Sequence, residues 1–417
     1  MILDAESPMT NAPIDRSAQD IIIVGGGMVG GVLAHALRRE GWRVTILEGA
    51  ARGTSSSFDH RLTALSDASW RYFDALDLID ETTARSAQAI EEVRVVDAGH
   101  FGMTRITRAN NEGVALGQVI ANRAIGAAIE RAEMEYAEHA TTPNAIGTVQ
   151  RLQPARYISH HTLATGKVEV HFDFHGESHA LSARLLVAAD GAESSVRSAS
   201  QKSVETVHYG QTAIVCTAKP AKAHHGTAFE CFTRGGPLAI LPAPAGRVSL
   251  VWVNRDKEVA QLMTLDNPAY AVRLDALFRH RLGGFSELTP RHAYPLNLIT
   301  LTELVGDRLV ILGNAAHALH PVAGQGFNLC LRDVRDLVAV LRSDRGEAVD
   351  PGDAQRLCRY ADERADDYRR TIGLTDRLVR GFSLDIPGAG MLRGALLSLT
   401  DGMAPIKNRL VRLTRGI

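Results

Sequence analysis

The chain has 417 residues, of which 45% are hydrophobic and 22% are charged, so it is long enough for two or three domains and too apolar for a disordered protein. Its 46 Lys and Arg residues nearly balance 47 Asp and Glu residues, and the formal net charge of -1 excludes a uniformly basic nucleic-acid-binding protein. We therefore expect no nucleic-acid partner.

The charge is uneven along the chain, because the C-terminal segment 377–417 is basic. That segment contains seven Lys and Arg residues against Asp385 and Asp401, a net charge of +5, which leaves 39 basic and 45 acidic residues, a net charge of -6, elsewhere. Apolar residues are interleaved with these cations. Such a segment either lies on an anionic lipid surface or packs on its own protein with a solvated basic face. The sequence leaves both alternatives open.

The cysteines and the N-terminal residues indicate the cellular compartment of the protein. Cys216, Cys231, Cys330 and Cys358 are scattered without a Cys-x-x-Cys pair, which is typical of a reducing compartment. Residues 1–19 lack the apolar core of a secretory signal and are predicted to be flexible, and no stretch reaches the roughly 20 apolar residues of a membrane-spanning helix. We expect a cytoplasmic protein, in which the basic tail would place any peripheral membrane contact at the inner face of the plasma membrane.

The first elements form a strand–turn–helix–strand unit. Ile21–Val24 is an uninterrupted apolar run, which predicts a strand buried between two helical layers of a parallel sheet. Apolar residues at helical spacing follow over Val29–Arg39, and Trp42–Leu47 has the composition of the next strand. The unit is the beginning of a nucleotide-binding domain.

A glycine motif joins the first strand to the helix. Gly25, Gly27 and Gly30 form the pattern Gly-x-Gly-x-x-Gly, which permits a tight turn, close approach of a diphosphate, and close packing of helix on strand. The diphosphate would lie at the helix N-terminus. Glu48, at the end of the second strand, is placed to accept hydrogen bonds from a ribose and would repel a 2′-phosphate. The motif predicts a dinucleotide but does not separate NAD from FAD.

Two later segments repeat the order of strand, glycine-containing loop and helix. In the first, Arg184–Ala189 runs into Asp190 and Gly191, with Ser194 and Arg197 after them. Asp190 is suited to capping the turn or holding a ligand hydroxyl, and Arg197 to pairing with a phosphate. The alternative interpretation, a capped helix after a strand, explains Asp190 and Ser194 but not the whole spacing.

The other segment follows the predicted strand Arg308–Leu312. Small residues come directly after it and leave room for a ligand chain, and Gly324–Asn328 opens another helix whose N–H groups are available to an electron-rich ring. His317 and His320 lie three residues apart, but no carboxylate or cysteine stands at ligand spacing beside them. We therefore predict no metal site.

These patterns predict a mixed α/β protein in which a Rossmann-like domain is interrupted by a β-sheet substrate domain and followed by a helical segment. The Rossmann-like domain is assigned to 20–89, 121–204 and 299–351, the β-rich domain to 90–120 and 205–298, and the helical segment to 352–417, basic from 377.

Together the three loop segments resemble the FAD fingerprints of the group A flavin-dependent aromatic hydroxylases, which have the p-hydroxybenzoate hydroxylase fold. Further stretches are similar to the ubiquinone-biosynthesis branch of that family, the UbiH-type hydroxylases of polyprenylated methoxyphenols. These stretches are Asp59–Ser66, Asn122–Arg123, Tyr209–Gln211, Gly236–Pro242 and His320–Val334.

The resemblance implies which residues bind FAD. The glycine motif and Glu48 would hold the ADP half, Arg61 and Arg123 would lie along the flavin and its phosphates, and Asn314 would face the ribitol. The complete implied set is Gly25, Gly27, Gly30, Glu48, Arg61, Arg123, Asp190, Gly191, Arg197, Gly313, Asn314, Pro321, Gly324, Gly326, Phe327 and Asn328. No protein acid or base is implied, and the candidates for lining the flavin ring are Pro321, Gly324, Gln325 and Gly326.

Two residues depart from the family pattern. Asn314 occupies a position where most members have Asp, and its amide is able both to donate to and to accept from a ribitol hydroxyl. Cys231 stands where relatives commonly carry Arg.

The resemblance implies an FAD-dependent monooxygenase that hydroxylates the aromatic ring of a polyprenylated phenol in ubiquinone biosynthesis. NAD(P)H would reduce the FAD, and O2 would form a C4a-hydroperoxyflavin that transfers oxygen to the ring. With one glycine-rich nucleotide module in the sequence, NAD(P)H would bind transiently, without a domain of its own. Three alternatives stay open: a hydroxylase of a soluble aromatic or secondary metabolite, a non-catalytic FAD-binding scaffold of a biosynthetic complex, and a polyprenyl reductase.

Overall fold

A computed structural model gives the fold and describes residues 14–15, 19–51, 59, 61–98, 102–139, 147–321, 324–342, 349–383, 401, 403 and 407–408. Strands and helices are numbered in chain order. The helices are α1 (Met28–Arg39), α2 (Asp67–Ala75), α3 (Glu81–Arg85), α4 (Asn122–His139), α5 (Ser195–Ala199), α6 (Asp256–Thr264), α7 (Asn267–Leu277), α8 (Gln325–Leu341) and α9 (Ala354–Ser383).

Among the described residues, six strands form a mostly parallel sheet, called here the central sheet. In spatial order they are β19 (Val305–Gly306), β20 (Leu309–Ile311), β12 (Leu185–Ala188), β1 (Ile21–Val24), β2 (Arg43–Leu47) and β8 (Thr148–Leu152). All neighbours are parallel except β19 and β20. Because β1, β12 and β20 run in the same direction, the three loops that follow them leave the same edge of the sheet.

The two faces of the central sheet are covered differently. Helices α1, α4 and α8 pack on one face, in a core that includes Ile21 and Leu33. The other face packs against a three-stranded antiparallel sheet, the outer sheet, in which Val170 and Phe172 are buried beside Ile22. The outer sheet consists of β9 (Ala155–Thr162), β10 (Val168–Phe174) and β11 (Glu177–Ala183). The prediction that β1 lies between two helical layers was therefore wrong for this second face.

A second, mainly antiparallel sheet, the large sheet, lies beside the central sheet. In spatial order its strands are β21 (His317–Ala318), β18 (His292–Leu301), β13 (Val204–Pro220), β16 (Val248–Arg255), β15 (Pro237–Pro242), β14 (Thr227–Phe232), β5 (Glu92–Asp97) and β6 (Met103–Thr107), and β17 (Phe285–Ser286) pairs with β13. One face packs under α6 and α7, where Phe229, Trp252 and Leu274 share a core.

The opposite face of the large sheet contacts a small third sheet. This sheet consists of β3 (Leu62–Ser66), β7 (Gly117–Ala121) and β4 (Ala87–Ile90). Ala228 and Leu241 of the large sheet cluster there with Ala64. The contact brings the large sheet over the edge of the molecule from which the three loops emerge.

The predicted mixed α/β class is confirmed. The predicted domain limits stay predictions. In the structure, strands of the large sheet come from residues 92–107, 204–301 and 317–318. The helices α6 and α7 interrupt the stretch that was expected to be β-rich. Most of the predicted flexible N-terminus 1–19 lies outside the described residues. Within the part of the chain that the structure describes, no helix is long and apolar enough to cross a membrane.

The basic C-terminal segment lies mostly outside the described residues. Where it is described, the Asp401 carboxylate accepts a hydrogen bond from the backbone N–H of Arg105 on β6 at 2.8 Å and pairs with Lys407 at 3.2 Å. This part of the tail therefore contacts its own protein, and Lys407, the tail cation whose side chain the structure describes, has an internal partner.

Candidate active site

The three predicted loops meet at one edge of the central sheet. A Cβ atom added to Gly25, after β1, would lie 2.4 Å from the carbonyl oxygen of Ala189, after β12. One added to Gly313, after β20, would lie 3.1 Å from the Val29 side chain at the start of α1. The structure thus brings together segments that are almost 300 residues apart in sequence.

The glycine motif forms a turn without side chains in front of α1. Gly25 adopts a φ of +101°, a conformation that side chains rarely allow, and a Cβ atom at Gly30 would lie 1.9 Å from the Gly25 carbonyl oxygen. Gly27 is the N-cap residue of α1, and no side chain caps this helix end. The first N–H groups of α1 are therefore left for an anionic ligand.

The Glu48 carboxylate is fixed against this turn. The backbone N–H of Gly26 donates to its Oε2 at 2.6 Å, and that of Ala50 donates to its Oε1 at 2.8 Å. Arg151 supports the turn from β8, because its Nη1 donates to the Gly26 carbonyl at 3.0 Å while Nη2 pairs with Glu133 at 2.6 Å. Sequence reasoning missed Arg151, which stands in no motif.

The loop after β12 carries a buried oxygen with an unused acceptor position. Asp190 Oδ2 accepts hydrogen bonds from the backbone N–H groups of Ser195 at 2.8 Å and Val196 at 3.3 Å, at the start of α5, whose N-cap residue is Ser194. Within the described residues, Asp190 Oδ1 is buried and makes no hydrogen bond. Apart from the adjoining residues of the chain, no protein atom lies within 4 Å of a Cβ added to Gly191. An acceptor that is buried beside open space suits a ligand hydroxyl.

Arg197 links two of the loops. Its guanidinium is buried and donates to the carbonyl oxygens of Ala192 and Ala315, both at 2.7 Å. The contacts that the structure shows are thus with backbone rather than with a ligand group. The phosphate contact expected from the sequence stays a prediction.

A buried ionic cluster holds the loop after β20. Asp333 Oδ2 accepts hydrogen bonds from the Gly313 backbone N–H at 3.0 Å and from His317 Nε2 at 2.8 Å, and Oδ1 accepts one from Arg364 Nε at 2.8 Å. Burial alone would raise the pKa of Asp333, but the neighbouring His317 and Arg364 and the hydrogen bonds lower it. Asn314, by contrast, is exposed. Sequence reasoning missed this cluster because its partners come from α8 and α9.

The turn before α8 leaves open space of the kind that a flat ring needs. Gly324, the N-cap residue, has a φ of +61°, and its N–H donates to the Pro321 carbonyl at 3.1 Å. Apart from the adjoining residues and the backbone of α8 itself, no protein atom lies within 4 Å of a Cβ added to Gly326. Gln325 is buried. Val322 and Ala323 lie outside the described residues.

Two residues that the resemblance assigns to the cofactor have side chains that contact other parts of the protein. The Phe327 ring packs edge-on against Phe73, with centroids 6.5 Å apart. The Asn328 amide accepts from the Ser66 N–H at 2.8 Å and donates to the carbonyls of Ala64 at 2.9 Å and Gly324 at 2.7 Å. These side chains fix α8 to the rest of the domain, and contact of these two residues with a cofactor stays a prediction.

The two predicted arginines differ in setting. Arg61 Nε donates to Asp59 at 2.5 Å, and the Arg61 guanidinium lies 4.9 Å from the centre of the Tyr294 ring on β18. Arg61 thus stands where the large sheet meets the FAD-site loops. Arg123 is exposed at the start of α4.

FAD fits this arrangement. The turn without side chains and the uncapped end of α1 suit the diphosphate, the lone acceptor at Asp190 suits a hydroxyl, and the space at Gly326 suits a ring. Fold and site together define an FAD-dependent flavoprotein of the aromatic-hydroxylase type.

Comparisons with known proteins give the family. Residues 18–373 match the FAD binding domain family, and the chain belongs to it. It is 34% identical to the ubiquinone hydroxylase UbiL of Rhodospirillum rubrum, over 99% of this chain and 93% of that protein. It is 28% identical to the 3-demethoxyubiquinol 3-hydroxylase of Escherichia coli, over 98% and 100%. The resemblance stated from the sequence is therefore confirmed.

Solved structures share the fold. The p-nitrophenol 4-monooxygenase PnpA of Pseudomonas putida aligns with a TM-score of 0.75, covering 94% of this chain and 96% of that one. At 16% sequence identity, this likeness shows the fold alone.

Proposed function

We propose that the protein hydroxylates the aromatic ring of a polyprenylated phenol in ubiquinone biosynthesis, with FAD as cofactor and NAD(P)H and O2 as co-substrates. The observation that carries this proposal is the similarity to a ubiquinone hydroxylase over 99% of the chain. The geometry supports it, because the three loops that the FAD chemistry requires meet at one edge.

The residues of the chain supply binding, orientation and exclusion of water. FAD, when bound, supplies the redox chemistry that activates O2 and delivers one oxygen atom to the ring. The end of α1 would bind the diphosphate, Glu48 would bind the ribose, and Asp190 Oδ1 would accept a hydrogen bond from a ligand hydroxyl. The large sheet covers the site and keeps out water that would divert the reaction.

The proposed substrate also bears on location. A polyprenylated phenol is too insoluble to diffuse freely, so we propose that the protein works in the cytoplasm with peripheral contact at the inner face of the plasma membrane through the basic segment 377–417. Contact with a ubiquinone-biosynthesis complex through the same segment is the second candidate. The contact of Asp401 with β6 shows that part of the segment packs on its own protein.

One experiment separates the candidate functions. Purified protein is expected to carry FAD and to oxidise NAD(P)H faster when a prenylated phenol is added, with hydroxylated product seen by mass spectrometry. Turnover with an unchanged ubiquinone content in a deletion strain would indicate a soluble aromatic substrate instead. Bound FAD without turnover would indicate a scaffold, and turnover that does not require O2 would indicate a reductase.

A further inference from the structure

Glu230 lies on the face of the large sheet that is turned toward the FAD-site loops. Its neighbours on β14, Phe229 and Cys231, point into the core under α6 and α7. Because side chains alternate along a strand, Glu230 points to the other face, where it stands between Ala239 on β15 and Val95 on β5.

This face approaches the turn before α8 close to Glu230. Ala228, two residues earlier on the same strand and face, clusters with Ala64 of β3. A Cβ atom at Gly324 would lie 3.6 Å from the Ala64 side chain. Residues two apart along a strand are separated by about 7 Å. Glu230 therefore lies about 7 Å along the strand from Ala228, where the large sheet meets the region in which the flavin ring is expected.

One oxygen of the Glu230 carboxyl, Oε1, is buried without a hydrogen-bond partner among the described residues. Burial raises the pKa of Glu230 to about 8. A buried acceptor without a donor costs stability, and a hydroxyl group on a bound substrate would supply the missing hydrogen bond.

The other titratable side chains of this face lie on flanking strands or near them. By strand alternation the nearer ones are Asp97 on β5, Lys219 on β13, Arg255 on β16, and His292 and Tyr294 on β18, with Arg61 above Tyr294. Glu205 on β13 and His317 on β21 follow on the same face at the far end of β18. The residues directly beside Glu230 are apolar, which is why burial dominates its ionisation.

We propose that Glu230 binds the ring hydroxyl of the phenolic substrate and accepts its proton; this rests on the proposed function. The O–H bond of the hydroxyl breaks, its electron pair stays on the ring oxygen, and the proton forms an O–H bond to the carboxylate. The ring becomes more electron-rich and so more reactive toward an electrophilic oxygen. When the product ring regains its aromatic form, the ring carbon that received the oxygen atom loses its hydrogen as a proton to water. The proton on Glu230 returns to the ring oxygen, and Glu230 is unchanged after turnover.

The test uses the FAD-loaded enzyme and a phenol carrying one isoprene unit. Glu230→Gln keeps the shape of the side chain but cannot accept the proton, so kcat/KM is expected to fall by about 10²–10⁴-fold with an unchanged FAD content. In the wild type kcat/KM is expected to rise as the pH is raised through about 8, because Glu230 must be ionised to act as the base. This rise of kcat/KM with pH is expected to be absent in the variant. The matched control is Glu205→Gln, an exposed carboxyl on β13, which is expected to match the wild type.

Two further measurements keep the proposal falsifiable. Phenol binding, followed by the change in flavin absorbance, requires no turnover and is expected to weaken at least tenfold in Glu230→Gln. The Tm of Glu230→Gln is expected to equal or exceed that of the wild type, whereas a merely structural residue would lower it. Wild-type kcat/KM, pH profile and phenol affinity in Glu230→Gln would overturn the proposal. Absence of hydroxylation in the wild type would instead contradict the proposed function, and the binding measurement would still decide the role of Glu230.

A separate observation concerns the outer sheet. His161 on β9 stands directly opposite Glu169 on β10, and His171 follows two residues later on the same face. Glu169 Oε2 lies 3.7 Å from His161 Nε2 and 3.2 Å from His171 Nε2, and the ligand atoms of the three residues all lie within 4.8 Å of one another. In a tetrahedral zinc site, with bonds of about 2.0–2.2 Å, ligand atoms stand about 3.3–3.6 Å apart, close to both spacings.

We infer that His161, Glu169 and His171 form a Zn²⁺ site in which a water molecule takes the fourth position. The three side chains are 54%, 28% and 34% exposed, so an ion reaches them from solvent. The ion would tie β9 to β10 on the outer side of the sheet. The sequence predicted no metal site because these ligands come from two strands and form no compact motif.

The test is a titration of tag-free, chelator-treated full-length protein with zinc chloride. Calorimetry measures zinc binding, and thermal unfolding with and without zinc measures the Tm. The wild type is expected to bind one equivalent of Zn²⁺ and to gain Tm, because the ion binds the folded state. His161→Ala and His171→Ala are expected to lose both effects. His179→Ala is the matched control, since His179 pairs with a single carboxylate at 3.8 Å on the same sheet. Equal zinc binding in all four proteins, or none in the wild type, would overturn the inference.

Discussion

At the scale of single residues, Asp333 connects stability to the cofactor site. Its carboxylate is fully buried and holds the Gly313 backbone, His317 and Arg364 at once. A buried charge of this kind is tolerated only because several donors surround it. The position of Gly313, at the start of the loop that carries Asn314, therefore depends on a fully buried residue of α8.

We predict that Asp333→Asn lowers the free energy of unfolding by about 3–5 kcal/mol, because Arg364 and His317 lose their common counter-charge. The bound FAD content should fall as well, because the loop loses its anchor. Chemical denaturation and flavin absorbance measure the two effects. Asp366→Asn, in an exposed pair with Arg369, is the control and should change neither; an unchanged stability in Asp333→Asn would contradict the prediction.

At the scale of elements, the sequence predicts best where local chemistry decides the structure. The strand β1 coincides with the predicted Ile21–Val24, and α1 begins one residue before the predicted Val29, because an apolar run and a glycine turn leave few alternatives. The outer sheet was not predicted. Its strands have exposed polar residues on one side, and only their packing on the central sheet explains their apolar side.

The C-terminal segment is the element whose role the sequence left open. If the segment contacts a membrane, the full-length protein should sediment with anionic vesicles, and the fraction that sediments should fall at high salt. Arg409→Glu combined with Arg412→Glu and Arg415→Glu should weaken this binding several-fold while FAD content and Tm stay unchanged. Neutral vesicles are the control for lipid charge. Equal sedimentation of wild type and triple variant would favour packing or complex formation instead.

At the scale of the whole molecule, the site exists only where separate parts meet. Loops from the central sheet carry the proposed cofactor-binding residues, whereas Glu230 and Tyr294 come from the large sheet. His320 joins the two, since its ring contacts Tyr209 on β13 edge-on at a centroid distance of 5.3 Å. Sequence motifs predicted each loop but not their juxtaposition with the large sheet, because strand order depends on pairings between distant segments.

Two buried histidines make the stability of this assembly depend on pH. Burial lowers the pKa of both His35 and His320 to about 4, whereas an unfolded histidine titrates near 6.5. Between these values the unfolded chain binds more protons than the folded one, so stability falls as the pH drops from about 6.5 to about 4. At about 1.4 kcal/mol per pH unit, each histidine contributes on the order of 3 kcal/mol over that range.

We therefore predict that the urea midpoint falls between pH 6.5 and pH 4.5, well above the range in which Asp333, with its lowered pKa, would be protonated. The net slope corresponds to about one histidine, because Glu230, whose pKa burial raises to about 8, binds a proton in the folded chain over this range and offsets the other. His35→Gln should flatten this dependence, because glutamine still reaches the Leu76 carbonyl that His35 contacts at 2.6 Å but binds no proton. His280→Gln, an exposed histidine paired with Asp275, should leave the acid slope unchanged. A wild-type midpoint that is constant over this range, or the same slope in His35→Gln, would show that the buried histidines do not control acid stability.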